Sequence, residues 1–205
     1  VSAKGGMHRF SWDMRLQPLE REAIADGGNV NATGAVPRRT YDDVNAPWAP
    51  PGSYTVRLTV GGKQLTQPLT LRLDPRVKTP TIGLTHVASL SREMWERATS
   101  ARATYATARA FSARLAGATG PDVAAFKAKV DSLAPAPAPG GRGGRGGGFG
   151  GRGGAPAGPP TLNGVSDALM AAAMGMQGAD VAPTNRQVAA VTAARAIVRA
   201  ESTGN

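Results

Sequence analysis

One short run restricts the fold of this chain more than any other. Tyr54, Val56, Leu58 and Val60 alternate with Thr55, Arg57 and Thr59, Gly61-Gly62 follows at once, and Leu65, Leu69, Leu71 and Leu73 supply a returning apolar face. A period of two puts alternate side chains on opposite faces of a strand, and a two-residue glycine turn between two such runs marks a β-hairpin. Asp74-Pro75 ends the second strand. The apolar face of a hairpin and its two open edges both need covering.

Upstream, Phe10, Trp12, Met14 and Leu16 alternate with Arg9, Ser11, Asp13 and Arg15, which predicts a third half-buried strand over residues 9–16. Residues 17–52 carry turn chemistry without sustained periodicity, including Asp26-Gly27-Gly28-Asn29 and the Ala46-Pro47-Trp48-Ala49-Pro50-Pro51-Gly52 stretch, and read as a long surface excursion. Three strands do not close a sandwich, and nothing after residue 80 looks like a strand. The remaining strands are therefore expected before Val1, and the chain is read as a fragment of a larger protein.

Beyond Thr85 the composition turns to alanine. Val87, Met94, Ala101, Ala108 and Leu115 recur every seven positions, with Leu90, Ala98 and Tyr105 between them, which is one stripe of a long amphipathic helix. The stretch from Gly117 to Gly120 breaks it. Pro121 then suits a first helical position, and Val123, Phe126, Val130 and Leu133 continue as a short antiparallel partner. Helical spacing resumes with Leu162, Val165, Leu169, Ala172 and Met176. A Thr184-x-x-Gln187 capping box starts the last helix, with Val188, Val191 and Val198 as its inner face. The intervening residues 135–160 are Ala-Pro repeats and a Gly/Arg tract, which predict a disordered insertion.

Composition removes several function classes. Cysteine is absent, which excludes disulfides, thiolate metal ligands and thiol nucleophiles and leaves the redox compartment open. The histidines are His8 and His86, too few for a multi-histidine metal cluster and badly placed for a histidine-centred triad. Asp42-Asp43 and Glu20 with Glu22 are neighbouring loop carboxylates, read as solvated charge rather than a glycosidase pair. Met170, Met174 and Met176 read as helix core and rim. No catalytic residue, cofactor or metal site is assigned. No apolar run reaches the ~18 residues a membrane span needs.

The formal charge is +10, with 19 arginines and five lysines scattered along the chain, a diffuse field rather than a patch. The sharpest functional motif is the tract with Arg142, Arg145, Phe149 and Arg152, which resembles the arginine-glycine-glycine boxes of RNA-binding proteins. With only three arginines and one aromatic, and placed between two helices, the tract fits a connector better, and the linker reading takes precedence over a nucleic-acid partner.

The ordered combination Phe10-Ser11-Trp12-Asp13-Met14-Arg15, then Ala49-Pro50-Pro51-Gly52-Ser53-Tyr54-Thr55-Val56-Arg57-Leu58-Thr59-Val60, then Pro68-Leu69-Thr70-Leu71 and Asp74-Pro75-Arg76 resembles the C-terminal region of bacterial BNR-repeat, sortilin-like β-propeller proteins. The resemblance implies a propeller upstream, an immunoglobulin-like sandwich and then helices, in an extracytoplasmic protein of glycosyl hydrolase or sialidase-like type. It carries over no catalytic position, since hydrolytic residues would lie in the propeller. The Gly/Arg insertion is a departure from that pattern.

The expectation is thus an α+β chain: an incomplete immunoglobulin-like β-sandwich over residues 1–80, a helical hairpin over 81–134, a flexible linker over 135–160 and a helix pair over 161–205, the helices forming an antiparallel bundle. Its structural residues are Trp12 and Tyr54 as large core side chains, Asp13 and Arg15 in the first strand, Gly52 at a turn, and Asp74, Pro75 and Arg76 as the joint between sheet and helices. Three functions compete. The leading one is an accessory module partnered by upstream propeller and sandwich strands of its own parent chain. The others are a nucleic-acid binder acting through the Gly/Arg tract and a contributor to a glycoside hydrolase cleft, where carbohydrate would be met through the parent.

Overall fold

The computed structural model describes residues 6–7, 9–19, 46–136 and 160–203. Over these residues its fold is mixed α+β, a two-stranded antiparallel sheet followed by four helices. The strands are β1 (Gly52–Val60) and β2 (Lys63–Leu71). The helices are α1 (Thr81–Arg114), α2 (Pro121–Leu133), α3 (Leu162–Gly175) and α4 (Asn185–Thr203), with a 3-10 turn, Leu115–Gly117, closing α1.

The hairpin forms around the expected turn, but β2 ends at Leu71, so Leu73, expected on its apolar face, lies beyond the strand. Val60 faces Lys63 across Gly61-Gly62, whose φ angles of 54° and 77° are the left-handed pair of a type I′ turn, a conformation that glycine adopts without strain. The register runs from there through Leu58 opposite Leu65 and Tyr54 opposite Leu69 to Gly52 opposite Leu71. One face therefore gathers Tyr54, Val56, Leu58, Val60, Leu65, Leu69 and Leu71 together with Gln67 opposite Val56 and Lys63 opposite Val60, and the other Ser53, Thr55, Arg57, Thr59, Gln64, Thr66, Pro68 and Thr70.

The third strand does not form. Residues 9–16 make a single bridge, Arg15 opposite Trp48, and Phe10 and Met14 are largely exposed. Local bonding explains the failure. Arg15 N donates to Asp13 Oδ1 at 3.2 Å and Trp12 Nε1 donates to Arg15 O at 2.9 Å, so side chains close a turn on their own backbone. Met14 then takes a φ of 57°, which ends the two-residue alternation.

The core lies among the helices. Met94, Ala98, Val165, Leu169, Met176 and Val191 are buried together, with Leu19 from the N-terminal segment added to them. Small residues let α1 and α3 approach: Ala98, Ser166 and Ala173 are fully buried, and Ser166 Oγ donates to Ala98 O at 3.1 Å. Arg102 donates to Asn163 Oδ1 at 3.0 Å and Asp167 Oδ1 at 2.9 Å, while Ser91, earlier in α1, meets Gln177, just beyond α3. The two helices therefore run antiparallel.

The long helix starts at Thr81, directly after Pro80 and ahead of the stripe that begins near Thr85. Pro121 is at the first turn of α2 as expected, but no α2 side chain is fully buried. Phe126 lies edge-on to Phe111 at 5.8 Å and is about half exposed. The capping box of α4 is formed, Thr184 N donating to Gln187 Oε1 at 2.7 Å and Gln187 N to Thr184 Oγ1 at 3.3 Å. Its inner face is carried by Val191 and Ala194, with Ile197 and Val198 partly buried. Val188, expected there, sits exposed at the rim. Among the described residues no helix is long and apolar enough to cross a membrane.

Candidate functional site

Two features stand out once the elements are in place: a polar and aromatic junction that ties the sheet to the helices, and the uncovered apolar face of the hairpin.

The junction grows from residues 12–19 and 46–54. Leu16 N donates to Pro47 O at 3.0 Å and Ala49 N to Met14 O at 2.8 Å, pairing the two segments through their backbones. The Arg15 guanidinium lies over the Trp48 ring, 3.6 Å from its centroid, and its Nη1 donates to Ala46 O at 2.8 Å. A planar cation stacked on indole while bonded to a carbonyl is fixed in two directions at once. Trp12 meets Tyr54 edge-on at 5.8 Å, and the Tyr54 hydroxyl donates to Pro50 O. Both aromatics are half-buried rather than core residues, because the buried cluster is helical.

Three bonds hold this junction against the helices. Trp48 N donates to Gln177 Oε1 at 2.7 Å, and Gln177 Nε2 donates to Ser91 Oγ at 3.0 Å. Trp95 Nε1 donates to Gln17 O at 3.0 Å. Gln177 thus bridges loop, α1 and the end of α3. Its role is not readable from spacing, since its partners lie 86 and 129 residues away. Trp48 carried a faint signal, a large aromatic alone in a proline-rich loop.

The other expected structural residues are placed locally. Gly52 is the first residue of β1, opposite Leu71, and has no positive φ, so no turn demands a glycine there. Asp74 accepts from Arg76 N at 2.9 Å and, bidentately, from its guanidinium, and Val77 N donates to Asp74 O around Pro75. That closes a turn between β2 and α1, and the guanidinium beside Asp74 holds its carboxyl below the usual range.

Ion pairs elsewhere join helices. Glu93 accepts from Arg195 of α4 and from Arg97, and the Arg195 bond lowers its pKa. Asp131 accepts from Lys127, Ser112 and Arg109, which bring its carboxyl down to about 2. Each carboxylate faces cations across or along helices, an arrangement that tethers elements. Among the described residues no group of three histidine, cysteine or acidic side chains is placed to hold a metal. His86 is exposed on α1. Arg142, Arg145, Phe149 and Arg152 of the Gly/Arg tract, together with His8, Glu20, Glu22, Asp42 and Asp43, lie outside the described residues.

The hairpin face is the second feature. Val56, Leu58, Val60 and Leu65 are each about half exposed or more, from 49% at Leu58 to 63% at Leu65. Tyr54, Leu69 and Leu71, at the end nearer Trp12, are partly covered. Among the described residues the face is therefore shielded where it meets the junction and bare toward the glycine turn. Exposed aliphatic side chains gathered on one sheet face, here with Gln67 and Lys63 among them, make this face the candidate interaction surface. No protein-family model, curated protein or solved structure matches this chain.

Proposed function

We propose that this chain is a non-catalytic accessory module of a larger exported β-propeller protein of the glycosyl hydrolase-like type. In this reading the hairpin is one part of an immunoglobulin-like sandwich that upstream strands of the same parent complete. The helices form an antiparallel bundle that props the sandwich from behind. The observation that carries the reading is the bare aliphatic face of β1 and β2. An isolated hairpin of this kind is marginal in water, and a second β-layer packed about 10 Å away is the ordinary way to bury such a face. The Gln177, Trp48 and Trp95 bonds support it further, because they give the helices a means of holding the sheet at a set angle to the rest.

Immunoblotting of source cells and of their exported fraction, with an antibody raised against this chain, tests the reading. An exported band far above 20.9 kDa is expected. A cytoplasmic band near that mass overturns it.

A further inference from the structure

We propose that the upstream part of the parent chain that supplies the covering β-layer also adds one strand to the β1–β2 sheet, at the outer edge of β1 and not of β2, and that this strand alternates aliphatic with acidic residues. The proposal deepens the accessory-module reading and rests on it.

The edge follows from the register. A type I′ turn makes Val60 and Lys63 a hydrogen-bonded pair, and the pairing alternates from there. Residues 52, 54, 56, 58 and 60 of β1 thus bond inward to β2. Ser53, Thr55, Arg57 and Thr59 turn their N–H and C=O groups outward, as do Gln64, Thr66, Pro68 and Thr70 on β2. The two edges differ at one position. Pro68 has no N–H, so the outer edge of β2 lacks a donor in the middle of its ladder, while β1 offers an uninterrupted row. A proline at such a site is a familiar guard against strand addition. No backbone hydrogen bond among the described residues occupies the outward groups of β1.

Charge then selects the occupant. Between Ala46 and Leu73 the chain carries Arg57, Lys63 and Arg72 and no carboxylate. Arg57 stands in the middle of the open edge on the polar face, so residues of an added strand on that face are best acidic. The alternate residues of the same strand extend the aliphatic face of Tyr54, Val56 and Leu58, which continues from the contact already made with Trp12. A second copy of this chain is the poorer occupant. Two β1 strands paired antiparallel about Val56 would bring their Arg57 side chains together diagonally on one face, a like-charge contact.

The test uses the full 205-residue chain at low salt and a capped peptide of about nine residues, the length of β1, alternating valine and glutamate. Affinity is read by fluorescence anisotropy for the wild type and for Thr55→Pro, Thr66→Pro and Arg57→Glu. Thr55→Pro removes an outward N–H of β1, and Thr66→Pro removes one from β2. Expected are a loss of about tenfold or more in Thr55→Pro, little change in Thr66→Pro, and in Arg57→Glu a switch of preference to a valine–lysine peptide. No peptide binding, a loss in Thr66→Pro equal to that in Thr55→Pro, or equal binding of the valine–lysine peptide by the wild type overturns the proposal. A wild-type dimer in sedimentation that Thr55→Pro dissociates also overturns it, by assigning the edge to a second copy.

Should Thr55→Pro unfold the hairpin, photo-crosslinking of the peptide to the unaltered chain reads the edge directly, at Thr55 and Arg57 or at Thr66 and Thr70. An exported high-mass parent without binding at β1 refutes the edge and spares the module reading. Binding at β1 by a small cytoplasmic protein does the reverse.

Discussion

Gln177 Oε1 accepts a hydrogen bond from Trp48 N at 2.7 Å while the same amide donates to Ser91 Oγ at 3.0 Å, so one side chain joins the loop before β1 to the end of the α1–α3 pair where Ser91 and the α3 C-terminus meet. Replacing it with alanine strands two partners and is expected to destabilise the chain by about 1–2 kcal/mol. The loss should fall on the junction. Hydrogen exchange near Trp48 should quicken well before that of the Leu169 region, and a uniform change across the chain would contradict the bridge.

Burial separates two large apolar side chains that spacing alone made equivalent. Leu169 is 1% exposed in the helical core, and its alanine variant should lose about 2–5 kcal/mol in denaturant unfolding. Phe126 is 52% exposed and touches one ring edge-on, so Phe126→Ala should cost less, about 1 kcal/mol.

Asp131 makes α2, and its tie to α1 through Ser112 and Arg109, acid-sensitive. Its carboxyl titrates near 2 in the folded chain against 3.8 ordinarily, held first by Lys127, then by Ser112 and Arg109. A depressed folded value means the stabilisation is complete above the ordinary value and is lost as pH falls from about 3.8 through about 2. Thermal melts of the wild type should therefore weaken over that interval. Asp131→Asn should begin weaker and show a flatter acid dependence, and an unchanged slope would remove Asp131 as the cause.

Gly83 sets two effects against each other. Alanine is the better helix former by about 1 kcal/mol. A Cβ at Gly83, however, would stand 2.9 Å from Ala182 Cβ and 3.3 Å from Ala182 Cα, where no flexible side chain can swing away. Overpacking of that kind costs about 1–3 kcal/mol, so Gly83→Ala should destabilise on balance. A raised melting temperature would show that the segment between α3 and α4 yields.

Sequence alone determined the parts of this protein whose cause is local. The hairpin over β1 and β2 followed from strict alternation and a Gly-Gly turn, α2 from Pro121, and the start of α4 from Thr184 and Gln187, because each rests on contacts within a few residues. Tertiary structure decided what alternation cannot weigh. The run from Arg9 to Leu16 has the period of a strand, yet the Asp13 and Trp12 side chains bond their own backbone and Met14 turns the chain aside. Val188 and Val191 share a helical stripe, but only Val191 meets the α1–α3 core. Gln177 acquires its partners, and the hairpin keeps its bare face, through contacts made or missing between segments far apart in the chain, and spacing along one segment carries no record of them.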